Sequence, residues 1–431
     1  MKKVDFLIIG QGLAGTLLAH DLIEKEYSVT IIDKNLRASA SRVAAGIINP
    51  VGMKRCIPSF NAHNFLPKAI ERYQELEKKL DATFLLLKPI QRLFSNDEVK
   101  HQWQVKYSNT EMHEYIQGFK QANHSSYLKD DFGSASISPS GHLDTNVFLD
   151  SSRAYFKTVC NLLDEEFDFS AFMPEKNTYK GIEAKTIIFC EGFRVMHNPL
   201  FSKLPLTPTK GEVLTIRIPE VDHFDSIISK GVYILPLGNH LYTVGATYNH
   251  TDFTDELTRE GQEFLRAKVQ EILKVNFEIV TSEAGVRPTV KDRRFLIGLH
   301  PKYDRIGVFN GLGTRGVLQG PLLSHDFSVF LTQPKQDIQN TENQILIGRL
   351  KKAGLIFEIA EKEGFTDLLN GDSFVVSGVF RAFSRTELKD LIEINGGKNV
   401  GSITLYDSPT FAKSNVNPNH KYAMQPIVFK Y

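Results

Sequence analysis

The sequence predicts an α/β fold, α+β over the whole chain, that combines a helix-covered parallel sheet with a separate antiparallel sheet. Two observations predict the parallel sheet: a strand–glycine turn–helix–strand unit at residues 5–34, and a second strand, glycine turn and helix at residues 305–331. A third predicts the antiparallel sheet, because residues 210–247 read as alternating strands around a short polar turn at 238–239. The 431 residues suffice for two or three domains.

The first unit has the spacing of a Rossmann-like dinucleotide site. An apolar strand, residues 6–9, runs into glycines with GxGxxG spacing, and a helix then leads to a second apolar strand that ends at Asp33. Gly10 allows the tight turn, Gly12 lets a pyrophosphate approach the backbone, and Gly15 lets the helix pack on the strand. The helix N-terminus attracts phosphate, and the acid is placed to bind an adenosine ribose. The alternative is a βαβ unit whose glycines bind nothing.

Small residues follow this unit, in the segment 37–52. Ser41 and Arg42 are able to donate hydrogen bonds to phosphate oxygens, and Ala45 and Gly46 offer bare backbone on which a flat ring can lie. Taken alone, the segment is equally typical of a loop that enters a helix.

The second glycine turn repeats the logic of the first. A strand at 306–309 precedes Gly311 and Gly313, and a helix follows. Residues 185–192 likewise read as a buried-type strand that ends in a glycine turn, at Gly192. We therefore expect a second helix N-terminus near the first site.

Composition excludes several classes of protein. The net charge of +1 gives no reason to expect a nucleic-acid or acidic-membrane partner. Three cysteines without a CxxC pair predict a reducing compartment, with no disulfide framework and no metal cluster. Lys2 and Lys3 before an apolar run resemble a signal peptide, but Asp5 and the glycine turn interrupt that run early. No stretch approaches the roughly 20 apolar residues of a membrane span, so we expect a cytoplasmic protein.

The order of motifs between residues 3 and 332 resembles the FAD-dependent D-amino acid oxidase and glycine oxidase superfamily. The motifs are DFLIIGQGLAG, SRVAAGIINP, GHLD, TIIFCEG, YILP with VGATY, GVRP, and NGLGTRGV. The resemblance implies one oxidoreductase unit, residues 1–333. Its FAD-binding parts would be near 1–55, 140–205 and 284–333, interleaved with substrate-domain parts near 56–139 and 206–283.

The resemblance also implies which residues hold non-covalent FAD. The ADP half would contact Gly10, Gly12, Leu13, Ala14, Gly15, Asp33 and Lys34. The pyrophosphate and isoalloxazine would contact Ser41, Arg42, Ala45 and Gly46, with Gly192 also in the site. The flavin pyrimidine edge would contact Gly311, Gly313, Thr314, Arg315, Gly316 and Val317. The family's covalent linkage needs a His or Cys at places where this sequence has neither.

Arg287, in GVRP, matches the family's substrate-carboxylate arginine, a role that suits a planar guanidinium. The alternative is an arginine satisfied by a nearby acid such as Asp292. Arg315 is a second candidate for the carboxylate. Tyr233 and Tyr248 either supply a hydroxyl to the substrate or are core tyrosines with the hydroxyl at the rim.

The activity implied is oxidation of the C–N bond of a small amine or amino acid by hydride transfer to flavin N5, giving an imine. No side-chain base is required, and O2 or another acceptor would reoxidise the flavin.

The TRGV motif followed by PLL also resembles the oxidoreductase domain of the bifunctional protein that matures wobble-uridine methylaminomethyl groups in tRNA. Two further alternatives are an NAD-dependent dehydrogenase and a non-enzymatic flavin-fold scaffold with an interaction tail.

The sequence after residue 333 resembles a different family from the sequence before it. A polar segment at 334–342 is predicted to be a linker. Residues 343–403 resemble the BRCT-domain end of bacterial NAD-dependent DNA ligase, through SGVF, SRTELKDLIE and GGKNVGS. The resemblance then stops, so a partial βαβ segment and an irregular tail, 404–431, are expected. Ligase activity is excluded, because the adenylation lysine motif and the zinc cysteines are absent.

Overall fold

The computed structural model describes residues 1–333 except 109 and 292, together with three strands between 373 and 430. The chain divides into two compact units, Met1–Phe357 and Glu358–Tyr431. The linker predicted at 334–342 and most of the BRCT-like segment lie outside the described residues.

The described elements of the first unit are the following. The strands are β1 (Lys2–Ile9), β2 (Val29–Ile32), β3 (Ile47–Ile48), β4 (Val51–Gly52), β5 (Ile57–Pro58), β6 (Leu85–Leu87), β7 (Ile90–Leu93), β8 (Ile116–Lys120), β9 (Ser134–Ile137), β10 (Gly141–Leu143), β11 (Asn161–Leu163), β12 (Phe172–Met173), β13 (Thr178–Tyr179), β14 (Ile182–Phe189), β15 (Thr209–Arg217), β16 (Ile227–Lys230), β17 (Val232–Gly238), β18 (Leu241–Gly245), β19 (Glu278–Arg287), β20 (Leu296–Leu299) and β21 (Ile306–Asn310). The helices are α1 (Leu13–Glu24), α2 (Ala40–Val43), α3 (Ala62–Leu80), α4 (Asp97–Tyr107), α5 (Thr110–His113), α6 (Thr145–Val159), α7 (Arg259–Gln270) and α8 (Gly316–Thr332).

A parallel sheet forms one half of this unit. β1 lies between β2 and β14, and β14 pairs in parallel with β21, so both predicted glycine turns leave the same sheet. Every residue of β2 and β21 is buried, as expected for strands covered on both faces. The predicted α/β fold class is confirmed.

An antiparallel sheet forms the other half, in the order β19-β15-β18-β17-β16-β7-β9-β8. Strands from two separate stretches of the chain, β7 to β9 and β15 to β19, join in it. One face packs against α7, where Leu265 and Val269 share a core with Leu214 and Tyr242. The opposite face is free to line a cavity.

Helices α1 and α8 place the two predicted N-termini side by side. A methyl group at Gly316 would lie 3.0 Å from Leu13 Cδ2, and one at Gly320 would lie 2.9 Å from Leu17 Cδ1. The Tyr73 hydroxyl of α3 donates to the Val317 carbonyl at 2.9 Å. Close packing, made possible by small residues on α8, therefore fixes both helix starts.

Within the second unit, β22 (Ser373–Ser377) pairs in parallel with β23 (Lys398–Asn399) and antiparallel with β24 (Ile427–Lys430). β24 lies in the segment that the sequence predicts to be irregular, and for these four residues that prediction is wrong. The reason is that the preceding prolines and asparagines dominate the composition, whereas Ile427–Lys430 itself is apolar and partly β-branched.

Among the described residues, no helix combines the length and apolar character needed to cross a membrane.

Candidate active site

A cavity of about 1430 Å³ lies between the carboxyl ends of the parallel strands and the free face of the antiparallel sheet. Ligand pockets usually measure about 300–1,000 Å³, so this one has room for a dinucleotide and a second ligand. The predicted residues that line it are Gly10, Gly12, Leu13, Ala14, Asp33, Lys34, Ser41, Arg42, Ala45, Gly46, Gly192, Tyr233, Tyr248, Arg287, Gly313, Thr314, Arg315, Gly316 and Val317. Gly15 and Gly311 do not line it.

The first glycine turn is shaped by backbone contacts. Gly10 has φ +99°, and a methyl group there would lie 2.5 Å from the Cys190 carbonyl oxygen. A methyl group at Gly15 would overlap the Gly10 carbonyl oxygen, so Gly15 has a packing role behind the turn. At Gly12 the nearest atom would be Ser41 Oγ, 3.2 Å away. The backbone at Gly12 is thus open towards the cavity, which fits the approach of a pyrophosphate.

Asp33 is held in place before any ligand binds. Its Oδ2 accepts the Gln11 N–H at 2.9 Å, and its Oδ1 accepts the Asn35 N–H at 2.7 Å. Arg153 of α6, with 7% of its side chain exposed, donates to Asp33 Oδ1 at 3.2 Å and to Gln11 Oε1 at 2.6 Å. The arginine also pairs with Asp164. The carboxylate is therefore oriented for a ligand hydroxyl by groups far apart in sequence.

Ser41 and Arg42 contact different parts of the site. Ser41 Oγ accepts the N–H of Leu13, the first residue of α1, at 3.0 Å. Its own hydroxyl proton can therefore point away from the helix, towards a phosphate. The Arg42 guanidinium pairs with Asp150 at 2.6 Å, which anchors it to α6. The charge of Arg42 is thus already shared with that carboxylate, and its binding to a phosphate stays a prediction.

The second glycine turn is tied to the strand beside it. Gly311 has φ +73°, and a methyl group there would lie 2.7 Å from the Leu296 amide nitrogen, so this glycine too has a packing role. Asn310 donates to the Gly192 carbonyl at 2.8 Å, and its Oδ1 accepts the Gly311 N–H at 2.8 Å. Asn310 thereby joins the turn after β14 to the turn after β21. The N-terminus of α8, with its free backbone N–H groups, follows the second turn at Gly316.

Arg287 lies at the end of β19, above the backbone of the neighbouring strand. Its guanidinium occupies the space that a side chain at Gly211 would fill. Nη1 donates to the Thr247 carbonyl at 3.4 Å, and the guanidinium carbon is 5.0 Å from the centre of the Tyr248 ring. No ion pair of Arg287 exists within the described residues, and the alternative partner, Asp292, lies outside them.

The two tyrosines occupy different positions. A methyl group at Gly245 would lie 2.6 Å from the Tyr233 hydroxyl, so that hydroxyl sits against the sheet inside the cavity. Burial raises the pKa of the Tyr233 phenol, a shift that the nearby Arg287 opposes. Tyr233 is thus a hydrogen-bond donor at neutral pH. Tyr248 is 65% exposed and stands at the cavity mouth.

Sequence reasoning missed Glu191, which lines the cavity next to Gly192. Burial raises the pKa of this carboxyl to about 7, although the hydrogen bond from Asn198, at 2.7 Å, favours its charged form. A carboxyl with this pKa both donates and accepts hydrogen bonds near neutral pH. The sequence signal for it is its place two residues after the end of the buried strand β14.

Comparisons with known proteins agree with this geometry. The profile of the family described as FAD dependent oxidoreductase, DAO, matches residues 5–327. Glycine oxidase from Bacillus cereus superposes with a TM-score of 0.64 at 20% identity, over 77% of this chain and 96% of that protein. The superposition shows that the two proteins share a fold, and at 20% identity it shows no more than that.

Two curated relatives match different parts of the chain. The tRNA 5-methylaminomethyl-2-thiouridine biosynthesis bifunctional protein MnmC of Campylobacter jejuni is 23% identical over 310 residues, 69% of this chain and 46% of that protein. A DNA ligase of Bacteroides fragilis is 51% identical over 81 residues, 18% of this chain. The chain spans only 12% of the length of this ligase.

The BRCT family profile matches residues 364–427, so the match continues past residue 403, where the sequence resemblance was expected to stop. Residues 5–327 place the chain in the FAD dependent oxidoreductase family, with FAD as its cofactor, and residues 364–427 form a C-terminal BRCT domain.

Proposed function

We propose that the protein oxidises the C–N bond of a small amine or amino acid. The observation that carries the proposal is Arg287, whose guanidinium lines the cavity above Gly211 and forms no ion pair within the described residues. A guanidinium fork binds a carboxylate through two parallel hydrogen bonds. A substrate carboxylate held there would have its amine and α-carbon between the antiparallel sheet and the cofactor.

The cavity fits FAD, and we propose that the cofactor is bound without a covalent link. The glycine turns leave open backbone where the pyrophosphate approaches, and Asp33 is oriented for a ribose hydroxyl. Cys190 lines the cavity, but burial raises the pKa of its thiol, so it stays protonated and weakly nucleophilic.

Bound FAD would supply the acceptor of the hydride that leaves the α-carbon as the C–N single bond becomes an imine. The chain's own part is placement. Arg287 holds the carboxylate, and the Tyr233 hydroxyl is available to donate a second hydrogen bond to it. The start of α8, at Gly316, directs a positive dipole end into the cavity, which favours negative charge there. No carboxylate or histidine is needed as a base when the amine enters neutral.

Action on a tRNA methylaminomethyl group is a second candidate, favoured by the match to MnmC. Tyr248 and Phe253, which is 37% exposed, present aromatic surface at the cavity mouth, where a nucleobase could stack.

The NAD-dependent alternative is wrong, because the family uses FAD. The absence of a nucleic-acid partner stays a prediction, since the BRCT domain resembles part of a DNA ligase.

Anaerobic titration of the purified full chain tests the proposal. Glycine, sarcosine, proline and D-amino acids would be added singly, and loss of the oxidised flavin absorbance would be followed. At least one should reduce the flavin. Reduction by a methylaminomethyl-uridine derivative but by no amino acid would favour the second candidate, and reduction by neither would favour the non-enzymatic scaffold.

A further inference from the structure

Arg92 of β7 lies on the cavity face of the antiparallel sheet, a position that neither the motifs nor the proposed function uses. It pairs in register with Ser229, which pairs with Tyr233, which in turn pairs with Gly245. Residues directly opposite each other on neighbouring strands project to the same face. All four line the cavity. Arg92 therefore shares a face with Tyr233, two strands away or about 10 Å between backbones.

The guanidinium of Arg92 is only partly satisfied by protein. Nη1 donates to the carbonyls of Leu93, at 3.1 Å, and Ser229, at 3.4 Å. Its Nε is buried and has no hydrogen-bond partner in the described part of the chain. Burial lowers the pKa of Arg92, and no carboxylate opposes that shift. A buried cation without a counter-ion is unfavourable unless a ligand supplies the opposite charge.

The acids of the cavity are elsewhere. The carboxylates that line it are Asp33, Glu165, Glu166, Glu191 and Asp255. The first four follow strands of the parallel sheet, and Asp255 is exposed in the loop after β18. Within the described part of the chain, none of them forms an ion pair with Arg92. Residues 1–333, apart from the undescribed 109 and 292, thus supply no counter-charge to Arg92, and a bound acid can.

Arg287 lies on the other side of Tyr233. Its guanidinium covers Gly211 of β15, and β15 is separated from β17 by β18 alone. The antiparallel sheet thus presents two arginines, one on each side of the Tyr233 hydroxyl, and neither has a carboxylate partner among the residues that the structure describes. A ligand with a single acidic group would neutralise only one of them.

We propose that Arg92 binds a second acidic group of the substrate, so that the protein acts on an amino acid with two carboxylates. The first would be bound by Arg287 and the second, distal one by Arg92. This inference rests on the proposed function for the role of Arg287, but it concerns recognition and can be tested without turnover.

Redox-inert acids provide the test. Straight-chain α,ω-dicarboxylates from malonate to sebacate would be titrated into the FAD-loaded full chain, each beside the monocarboxylate of equal carbon number. Binding would be measured by calorimetry and by perturbation of the flavin spectrum. One chain length should bind best, about tenfold or more tighter than its monocarboxylate, the factor expected for one added charge-assisted contact.

Variants then assign that preference. Arg92→Gln, which keeps hydrogen-bond donors but loses the charge, should abolish the preference and leave monocarboxylate binding unchanged. Arg92→Lys should keep part of it. Arg217→Met removes an exposed arginine of the same sheet, outside the cavity, and should change nothing.

Equal affinity of wild-type protein for the two acid series would overturn the inference, and so would a preference that survives in Arg92→Gln. The wild-type series decides the matter even if the glutamine variant does not fold. Failure of the proposed function looks different: the acids would bind with the expected preference, yet no amine would reduce the flavin.

Discussion

The guanidinium of Arg287 and the backbone of Gly211 occupy adjoining space, so that a β-carbon at position 211 would overlap the arginine. β15 and β19 are neighbours in the sheet, with Thr209 opposite Arg287. Because Gly211 of β15 has no side chain, the guanidinium of Arg287 of β19 has room to lie over it. A glycine with no unusual backbone angle is required here by its neighbour.

Gly211→Ala should therefore displace Arg287 and weaken binding of a carboxylate ligand, while FAD stays bound. We expect a loss of about 1–3 kcal/mol, the cost of one poorly made hydrogen bond to a charged group. Calorimetry with a redox-inert carboxylate measures it. Gly52→Ala, where the new methyl would make only ordinary contact at 3.4 Å, is the matched control. Unchanged affinity in Gly211→Ala would mean that Arg287 adapts without cost.

Arg287→Lys tests the guanidinium itself. A point charge cannot reproduce two parallel hydrogen bonds, so carboxylate affinity should fall by about 1.5–3 kcal/mol with the flavin content unchanged. The dissociation constant of the same carboxylate measures the effect. An affinity equal to that of the wild type would return Arg287 to a structural role.

Acid precipitation tests how FAD is held. All flavin should appear in the supernatant, because the cavity cysteine, Cys190, is a protonated thiol and no covalent attachment is expected. The measurement is the flavin absorbance of supernatant and pellet. Yellow colour that stays with the precipitated protein contradicts non-covalent binding.

Glu191 predicts a dependence of stability on pH. Its pKa, 4.5 when exposed, is raised to about 7, so the folded protein binds more protons than the unfolded chain between these values. The contribution of Glu191 to the free energy of unfolding is therefore fully present below pH 4.5. It is lost as the pH rises through 7, which lowers the free energy of unfolding by about 3 kcal/mol.

The measurement is urea unfolding of wild type and Glu191→Gln at pH 5 and pH 8, with equal flavin content. Glutamine retains an acceptor for Asn198 and cannot ionise, so the variant should gain stability relative to wild type at pH 8 only. The same difference at both pH values would show that the carboxyl does not titrate in this range.

A chain that ends at Gln333 should stay soluble, yellow and as active as the full chain. The cavity is lined by residues between Ile9 and Leu318, and the family profile ends at residue 327. Flavin content and the rate of flavin reduction measure the outcome. Loss of either would mean that residues 334–431 belong to the catalytic unit after all.

The parts of the molecule that the sequence predicts are local ones. The two glycine turns, the helices that follow and Asp33 were expected, because each depends on neighbours within about 30 positions along the chain. Gly15 and Gly311 were expected to contact the cofactor, but they pack against Gly10 and Leu296. Spacing identifies the turn without distinguishing its open side from its packed side.

The missed residues act over long separations. Arg153 reaches Asp33 across 120 positions, and Asn310 reaches Gly192 across 118. Arg92 reaches the site because β7 pairs with β16 in the antiparallel sheet. All the other strands of that sheet come later in the chain than β7. An isolated arginine or asparagine carries no periodicity, so its partner is known only once the strand order is known.

The packing of α8 on α1 has a consequence for synthesis of the chain. Gly316 and Leu13 begin two helices that meet across some 300 positions, so the cofactor site cannot close until almost all of the first unit has left the ribosome. Contacts this distant in sequence slow folding and leave the early strands exposed in the meantime. Flavin capture is therefore a late event, and the apolar strands β1 and β2 must stay protected from aggregation until it occurs.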